Sequence, residues 1–364
     1  MKIALLGAGH IGRTIARQLA ATGDYEVDVL DRSPEALEHA AAVGVRPHEA
    51  DAADGAALAA ALRGHDAAVN ALPHHLTVTA ATAAREAGCH YFDLTEDVAA
   101  TRAIRRLADG AHTAFMPQCG LAPGFIGIVA HHLAQPFETL LDVKMRVGAL
   151  PAFPTNSLKY NLTWSVDGLI NEYCHPCEAI RDGRRIDVLP LEGLEHFSLD
   201  GTEYEAFNTS GGLGTLAETL EGRARTLDYK SVRYPGHLAL IRVLLEELQL
   251  KHDQETLKTI LRRAVPTTMQ DVVLVFVTVS GVRRGEFVEE VFARKVFADR
   301  DVGQPQSAIQ ITTAAGLCAA VDLFREGRLP RAGFVRQEQI TLPEFLANRF
   351  GRAYQALRQV ESIG

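Results

Sequence analysis

Residues 2–12 read KIALLGAGHIG, and this stretch decides the fold. A short apolar run ends in glycines and leads into a segment with helical periodicity, so the glycines join a predicted strand to a predicted helix. Their spacing matches the G-x-G-x-x-G fingerprint of dinucleotide-binding βαβ units, in which the helix N-terminus faces the pyrophosphate. The cofactor contacts predicted in this loop are Gly7, Gly9, His10, Ile11 and Gly12.

Asp31 ends the second predicted strand, about 20 residues after the glycine loop, where an acidic residue hydrogen-bonds the cofactor ribose. A carboxylate there repels a 2′-phosphate, so the sequence favours NAD over NADP. The adjacent Arg32 is the feature that would instead accommodate the phosphate. Asp51 follows the third predicted strand, where it would either touch the adenine edge or lie in a solvated loop.

Strands and helices alternate through the first 120 residues, which predicts βαβ units and a parallel sheet. The fourth and fifth predicted strands are 66–72 and 90–94, and the third is 44–49. The expected fold class is therefore α/β, with a Rossmann-type doubly wound sheet. The site residues predicted after the fourth strand, beyond the carboxyl edge where such sheets bind ligands, are Asn70, Leu72, Pro73 and His74.

His74 and the pair Glu96 and Asp97 each allow two interpretations. His74 would be either an acid/base or a solvated histidine at a helix start. Glu96 and Asp97 follow the fifth strand in the stretch Asp-Leu-Thr-Glu-Asp, where they suit a general base. The same residue types before the helix 98–108 also suit a helix N-cap.

After Gly124 the pattern changes to an α+β arrangement with a mixed or antiparallel sheet. Loops are predicted at 149–157 and 192–214, and a hairpin is predicted from strands 272–280 and 286–297 with its turn at 281–285. The predicted helices in the rest of the chain are 237–248, 254–264, 308–325 and 342–358. The predicted domains are 1–123 with 305–364 for the dinucleotide, and 124–304 for substrate binding and oligomerisation.

Composition excludes several classes of function. Lys plus Arg total 37 against 45 for Asp plus Glu, a net charge of −8, which argues against a nucleic-acid partner. No apolar run approaches the ~20 residues of a membrane span, and no signal peptide is predicted. The five cysteines are an odd, scattered set, typical of reduced thiols in the cytoplasm. Cys174 and Cys177 have no second pair at zinc-ligand spacing, so no metal site is predicted.

Several segments together resemble the saccharopine dehydrogenase superfamily, and within it the lysine 6-dehydrogenases. Besides the glycine loop, the segments that carry the resemblance are Phe92–Asp97, Cys119–Gly124, Gly148–Pro151, Asn156–Tyr160 with Trp164-Ser165, and Arg233–His237. Ala122 stands where saccharopine-forming reductases carry Asp, and His74 stands where they carry Tyr. Both departures favour lysine oxidation.

The resemblance implies an NAD-dependent oxidation of the side-chain amine of L-lysine, a small amino-acid substrate. It implies a C-terminal segment that returns to the nucleotide domain, and a homodimer or homotetramer. The candidate bases or groups that perturb the amine are Glu96, Asp97, Lys159 and His237. The candidate substrate residues are Asn156, Tyr160, Trp164, Ser165, Arg223, Arg233 and Tyr234.

Two other functions remain open from the sequence. A saccharopine or carboxynorspermidine dehydrogenase would join an amine to a carbonyl compound and would usually use NADPH. A non-catalytic regulator would bind NAD and turn over none of these amines.

Overall fold

The computed structural model of the protein describes residues 1–299 and 305–355. The end of the predicted helix 342–358 and the end of the predicted first domain, from residue 356 on, lie outside the described residues.

The chain forms two compact units. The first comprises Met1–Ile128 and Thr312–Arg352, and the second comprises Val129–Ile311 together with the described residues after Arg352. The predicted boundaries at 123/124 and 304/305 lie a few residues earlier in the chain.

The N-terminal part of the first unit alternates strands and helices from its first residues. Its elements are β1 (Lys2–Leu6), α1 (His10–Ala20), β2 (Glu26–Asp31), α2 (Pro34–Ala41), β3 (Arg46–Glu49), α3 (Gly55–Leu62), β4 (Ala67–Asn70), α4 (Thr77–Ala87), β5 (His90–Asp93), α5 (Val98–Ala108) and β6 (Ala114–Met116). The next helix, α6 (Phe125–Ala134), begins in the first unit and ends in the second.

The second unit is built on longer strands and shorter helices. Its elements are β7 (Thr139–Pro151), α7 (Val166–Cys174), β8 (Cys177–Arg181), β9 (Arg184–Val188), β10 (Glu195–Leu199), β11 (Thr202–Asn208), α8 (Leu216–Leu220), β12 (Ala224–Arg233), α9 (His237–Arg242), α10 (Gln254–Ala264), β13 (Asp271–Arg283) and β14 (Glu286–Phe297). The chain continues through α11 (Ala308–Arg325), β15 (Gly333–Phe334) and α12 (Leu342–Ala347).

The first unit contains a seven-stranded sheet in the order β15-β6-β5-β4-β1-β2-β3. Every pairing in it is parallel. The strand order reverses at β1, because β2 and β3 lie on one side of it and β4 to β6 on the other. This confirms the predicted doubly wound α/β fold, and it places the ends of β1 and β4 at the switch point where such sheets bind ligands.

The second unit contains an eight-stranded mixed sheet whose main order is β10-β11-β12-β7-β13-β14. Strand β12 runs parallel to β7, whereas β13 is antiparallel to both β7 and β14. The mixed sheet is confirmed, but the predicted loop 192–214 is wrong, since it contains β10 and β11. The predicted loop 149–157 is also wrong at its start, where β7 continues to Pro151.

The predicted hairpin is confirmed with a shorter turn. Strand β13 runs on to Arg283, so only Arg284 and Gly285 connect it to β14, and both have positive φ (54° and 78°). Positive φ at both central residues is the geometry of the two-residue turn that fits twisted strands. Gly281 is a strand residue, and a Cβ there would lie 2.1 Å from the Thr139 carbonyl oxygen.

Three predicted helices have different ends in the structure. The predicted helix 237–248 ends as α9 at Arg242 and continues as a π-helical turn, Val243–Glu247. The predicted helix 342–358 ends at Ala347 and is followed by a 3₁₀ turn at Gly351–Tyr354. The predicted helix 308–325 is confirmed as α11. It is long and apolar enough to cross a membrane, but 83% of it is buried within the protein, as in a core helix.

Candidate functional site

The glycine loop leaves open space at one glycine and is closely packed at the other two. Gly7 has φ +99°, and a Cβ on it would lie 3.0 Å from the Ala71 carbonyl oxygen. A Cβ on Gly12 would lie 2.0 Å from the Gly7 carbonyl oxygen, so the helix packs on the loop only without a side chain there. Around Gly9 a Cβ would meet nothing within 4 Å. The packed glycines shape the turn, and Gly9 leaves its backbone approachable.

The N-terminus of α1 is built to receive an anion. Gly9 is the N-cap and offers no side-chain bond, and no acidic residue lies in the first turn. The first N–H groups of the helix are therefore left for another acceptor, which fits the pyrophosphate of a dinucleotide. His10 is exposed beside them, and its Nδ1 lies 3.3 Å from a guanidinium nitrogen of Arg13. Ile11 is half-buried.

Asp31 is fixed at the edge of the glycine loop. One carboxylate oxygen accepts the Ala8 N–H at 2.7 Å, and the other accepts the Ser33 N–H at 2.8 Å. The carboxylate therefore stands beside the loop with lone pairs left for ribose hydroxyls. Arg32 is exposed next to it, and the exposed Asp51 uses its side chain to accept the Ala53 N–H in a local turn.

The loop after β4 is held by a buried amide. Asn70 is 2% exposed, and its side-chain oxygen accepts the Leu72 N–H while its amide nitrogen donates to the Tyr91 hydroxyl. Leu72 lies against Gly7, since its Cδ2 would be 3.4 Å from a Cβ there. Pro73 is exposed and precedes a 3₁₀ turn, and His74 in that turn is half-buried. Leu72 therefore borders the glycine loop, whereas Asn70 holds the backbone of the loop after β4.

The two carboxylates predicted after β5 have different surroundings. Asp97 is the N-cap of α5, with its side chain accepting the Ala100 N–H at 2.6 Å, so the structure favours the cap over the base. In the described part of the chain no other residue holds the Glu96 carboxylate. Burial raises the pKa of Glu96 to about 7, and the negative charges of Asp97 and Asp93 add to the rise. A group with this pKa at the carboxyl edge of the sheet suits general acid–base catalysis.

In the second unit, an aromatic–arginine cluster forms from Tyr160, Trp164, Tyr173, Arg233 and His237. The buried Arg233 guanidinium lies over the rings of Tyr160 and Tyr173, 5.0 and 5.7 Å from their centroids. Its Nε donates to the Tyr173 hydroxyl at 2.9 Å and its Nη1 to the Val232 carbonyl. Burial opposes the positive charge of the guanidinium, whereas Tyr173, Tyr160 and the buried Glu172 favour it and raise the pKa of Arg233. Trp164 donates to the Tyr160 hydroxyl at 3.2 Å.

The hydrogen bonds of His237 argue against its predicted role as a base. Its Nδ1 lies 2.8 Å from the Leu158 carbonyl oxygen, which accepts only, so Nδ1 carries the proton. Its Nε2 then accepts from the Tyr173 hydroxyl at 3.1 Å. Burial and the nearby Arg233 lower the pKa of His237 to about 3, so it is neutral. The histidine holds Tyr173, which in turn receives the Arg233 N–H.

Some predicted substrate residues lie away from this cluster. Arg223 precedes β12 and Arg233 ends it, about 30 Å apart at ~3.3 Å per residue, so they do not bind one small substrate together. Tyr234 points to the other face of the sheet, stacking on Tyr204 and donating to the Pro151 carbonyl. Successive residues of an extended chain alternate faces, which explains the separation of Tyr234 from Arg233.

Other predicted residues support the local backbone. The Asn156 side chain bonds both the carbonyl and the N–H of Tyr160, which shapes the loop leading into the cluster. Ser165 is the N-cap of α7, accepting the Gly168 N–H. Lys159 is exposed, has φ +50°, and donates to the Pro235 carbonyl at 3.0 Å.

Sequence reasoning missed Tyr173 and Glu205. Tyr173 joins Arg233 to His237 but lies at the end of a helix that had not been predicted. Glu205 is 3% exposed and accepts the N–H groups of Gly236 and Leu238, which fixes the start of α9. An isolated acidic residue in a supposed loop carried no signal for that role. No three His, Cys, Asp or Glu residues in 1–299 and 305–355 are arranged to hold a metal ion.

Two protein-family models match this chain, one over its N-terminal third and one over most of the remainder. Residues 3–115 match the family model of the saccharopine dehydrogenase NADP binding domain, and residues 120–352 match that of the saccharopine dehydrogenase C-terminal domain. Both the glycine loop and the aromatic–arginine cluster fall within the matched ranges.

One solved structure shows the same fold, and a second is reported for comparison only. The apo, histidine-tagged, L-Glu-forming saccharopine dehydrogenase from Saccharomyces cerevisiae is 17% identical with a TM-score of 0.76, covering 97% of this chain and 96% of its own. A probable dehydrogenase from Thermotoga maritima is 12% identical with a TM-score of 0.45, covering 98% and 96%. Since the two family models together span nearly the whole described chain, the protein belongs to the saccharopine dehydrogenase family of oxidoreductases.

Proposed function

We propose that the protein oxidises the side-chain amine of L-lysine with NAD, giving 2-aminoadipate 6-semialdehyde and ammonia. The observation that carries this proposal is the half-buried Glu96 at the carboxyl end of β5, whose carboxylate no other described residue holds and whose pKa is raised by burial to about 7. An amine with an ordinary pKa of ~10.4 must lose a proton before its carbon can release hydride, so the reaction needs a base. Glu96 is suited to take that proton near neutral pH.

The residues of the chain divide the remaining tasks. The glycine loop and Asp31 hold the dinucleotide, whose nicotinamide ring accepts hydride when bound. Arg233 offers Nη2 and the positive charge of a buried guanidinium to the substrate α-carboxylate. The rings of Tyr160 and Trp164 border that position and suit an aliphatic side chain. Water hydrolyses the resulting imine to the aldehyde, which then cyclises with the α-amine to piperideine-6-carboxylate.

A saccharopine dehydrogenase is the second candidate. It is supported by the structural likeness to the yeast L-Glu-forming enzyme over 97% of this chain. Saccharopine carries two more carboxylates than lysine, so its binding would require cations beyond Arg233. Ala122 and His74, where the saccharopine-forming enzymes carry Asp and Tyr, favour lysine instead.

The test is NADH formation on mixing the purified protein with NAD and L-lysine alone at alkaline pH, with saccharopine in a parallel reaction. We expect absorbance of NADH to grow with lysine alone, with one ammonia released per NADH. An increase in NADH absorbance with saccharopine only would replace the proposal by the second candidate. No growth with either, together with tight NADH binding, would favour a non-catalytic NAD-binding protein.

Replacing Asp31 with alanine is expected to raise KM for NAD by about 10- to 100-fold and to reduce the preference for NAD over NADP. The carboxylate supplies charge-assisted hydrogen bonds of about 1.5–3 kcal/mol to the ribose and repels a 2′-phosphate. The measurement is kcat/KM for both cofactors at one lysine concentration. Asp31→Asn keeps an acceptor for the backbone, and Glu35→Gln removes a charge from the exposed first turn of α2 as a matched control. Unchanged cofactor kinetics in Asp31→Ala would refute the ribose assignment.

A further inference from the structure

Asp93 is a buried carboxylate that has no role in the assignments above. It ends β5 and is 1% exposed. One oxygen, Oδ1, accepts two backbone N–H groups, from Thr95 at 3.0 Å and from Gln118 at 2.9 Å. These donors belong to different loops, since Thr95 follows β5 and Gln118 follows β6. A single oxygen therefore joins the two loops at the carboxyl edge of the sheet.

The loop after β6 depends on this bond. Gln118 has φ +67°, a left-handed conformation that costs a non-glycine residue of order 1 kcal/mol or more. The main chain of Asp93 adds a second attachment, because its carbonyl accepts the Cys119 N–H at 2.8 Å. Asp93 thus binds the N–H groups of two consecutive residues, Gln118 and Cys119, where the Cys119–Gly124 stretch begins.

The loop after β5 continues the same chain of bonds to the candidate base. The hydroxyl of Thr95 accepts the Asp97 N–H at 3.2 Å, and the Asp97 carboxylate caps α5. Glu96 lies between these two fixed residues. Its backbone is therefore held on both sides, while its side chain is the one carboxylate of the stretch that the loop does not use.

The second oxygen of Asp93 is buried without a hydrogen-bond partner among the described residues. The Tyr91 hydroxyl favours the ionised form of Asp93, but burial disfavours it, and the remaining negative charge has to be compensated by other groups. The titratable groups that face Asp93 are Tyr91 on its own strand, Cys119 after β6 and Glu96, and Asp97 also faces Glu96. None of these groups is cationic.

We propose that Asp93 is a positioning residue for the oxidation: its carboxylate joins the loops after β5 and β6 and so holds the backbone that carries Glu96. The inference rests on the proposed role of Glu96 as the base. Burial raises the pKa of Asp93 itself to about 6, although its two backbone donors and the Tyr91 hydroxyl each lower it. Above that pH the ionised Asp93 repels a negative charge on Glu96, so Glu96 holds its proton more firmly and is a stronger base when ionised.

The test is Asp93→Asn, which keeps an acceptor oxygen for the backbone donors and removes the charge. We expect the acidic limb of the kcat–pH profile to move down by roughly half a pH unit or more, with the Kd of NADH unchanged. The matched control is Asp54→Asn, which exchanges one N-cap for an equally good one at the start of α3. A folded Asp93→Asn protein whose limb stays at the wild-type pH would overturn the role of the charge.

Thr95→Val tests the last link of the positioning, from the Asp93-bound Thr95 to Asp97, and it does so even if Asp93→Asn does not fold. It keeps the N–H that Asp93 binds and removes the hydroxyl that holds Asp97. We expect kcat at alkaline pH to fall roughly tenfold with the acidic limb in place. An unchanged kcat in Thr95→Val would show that the bond from Thr95 to Asp97 does not position Glu96, and would overturn that link of the proposal.

Titration of the Glu96 carboxyl separates this inference from the proposed function. Isotope-labelled glutamate reports the ionisation of Glu96 by NMR without any substrate, and Glu96→Gln identifies its signal. A downward shift of that titration in Asp93→Asn supports the coupling even if lysine is not oxidised. Absence of lysine oxidation by the wild type would count against the proposed function alone.

Discussion

Replacing Glu96 with glutamine is expected to lower kcat for lysine oxidation by about 10²- to 10⁴-fold, the range for loss of a positioned general base. Glutamine keeps the size of the side chain but accepts no proton from the substrate amine. KM for NAD should stay near the wild-type value, because Glu96 lies in the loop after β5 and not in the glycine loop. Steady-state kinetics with lysine and NAD measure both effects.

The pH dependence of the wild type follows from the raised pKa of Glu96. The carboxyl takes up a proton as pH falls through about 7, so kcat should fall on the acid side of that value. Glu96→Gln should lack this limb, whereas Glu86→Gln, an exposed change on α4, should keep it. A Glu96→Gln enzyme that retains the limb would assign it to another group.

The burial that raises the pKa of Glu96 also means that its ionised form lowers the free energy of unfolding at high pH. Its folded pKa lies above its ordinary value of 4.5, so the free energy of unfolding decreases as pH rises from that value toward about 7. Glu96→Gln should therefore unfold at a higher denaturant concentration than the wild type above pH 7. A gain in stability combined with a loss of kcat is the signature of a residue kept for its chemistry.

The first unit was predictable because its signals are local. The glycine loop, the Ser33 cap of α2 and the alternation of apolar strands with helices each lie within a few residues of the element they specify. Strands β1 to β6 accordingly begin and end close to their predicted positions, whereas the two-residue strand β15 was not predicted. A parallel strand buried on both faces also reads as a continuous apolar run, which is hard to mistake.

The second unit was less predictable because charged side chains are buried in its sheet. Arg146 is 2% exposed in the middle of β7, where it pairs with Asp228 of β12 and Glu195 of β10. Those partners lie 82 and 49 residues away in sequence. Polar residues at such positions read as exposed, so the alternation of β10 and β12 was obscured. Only the pairing of strands that are distant in sequence shows that these charged residues lie next to one another in the sheet.

The candidate site likewise contains residues that local spacing predicts and residues that only the fold brings together. Asp31 and the glycines were predicted from spacing alone, whereas Tyr173 connects to Arg233 across 60 residues. Sequence also left Asp97 open between base and helix cap. The 2.6 Å bond to the Ala100 N–H distinguishes the two, because a carboxylate that caps a helix is held away from other tasks.

Replacing Arg233 with leucine is expected to lower kcat/KM for lysine by about 100- to 4,000-fold. A buried guanidinium that pairs with a carboxylate contributes about 3–5 kcal/mol when its partner would otherwise be left unpaired. The loss should fall mainly on KM for lysine, because Arg233 binds the part of the substrate that does not react. KM for NAD should be unchanged. Kinetics at saturating NAD, with lysine varied, measure the effect.

Lysine in place of Arg233 should recover only part of the activity. An ammonium keeps the charge, but it lacks the fork that donates to the Tyr173 hydroxyl and the substrate carboxylate at the same time. Tyr173→Phe should have a smaller effect than Arg233→Leu, since the guanidinium keeps its charge and its bond to the Val232 carbonyl. Thermal unfolding and NADH binding show whether each variant is folded.

Arg223→Leu is the sharpest comparison, because Arg223 and Arg233 flank the same strand. The structure places Arg223 exposed before β12 and Arg233 buried at its end, so removing Arg223 should leave kcat/KM for lysine within about twofold of the wild type. A large loss in Arg223→Leu with little loss in Arg233→Leu would move the carboxylate site to the other end of the strand. The opposite result would identify the aromatic–arginine cluster as the place where the substrate is bound by its carboxylate.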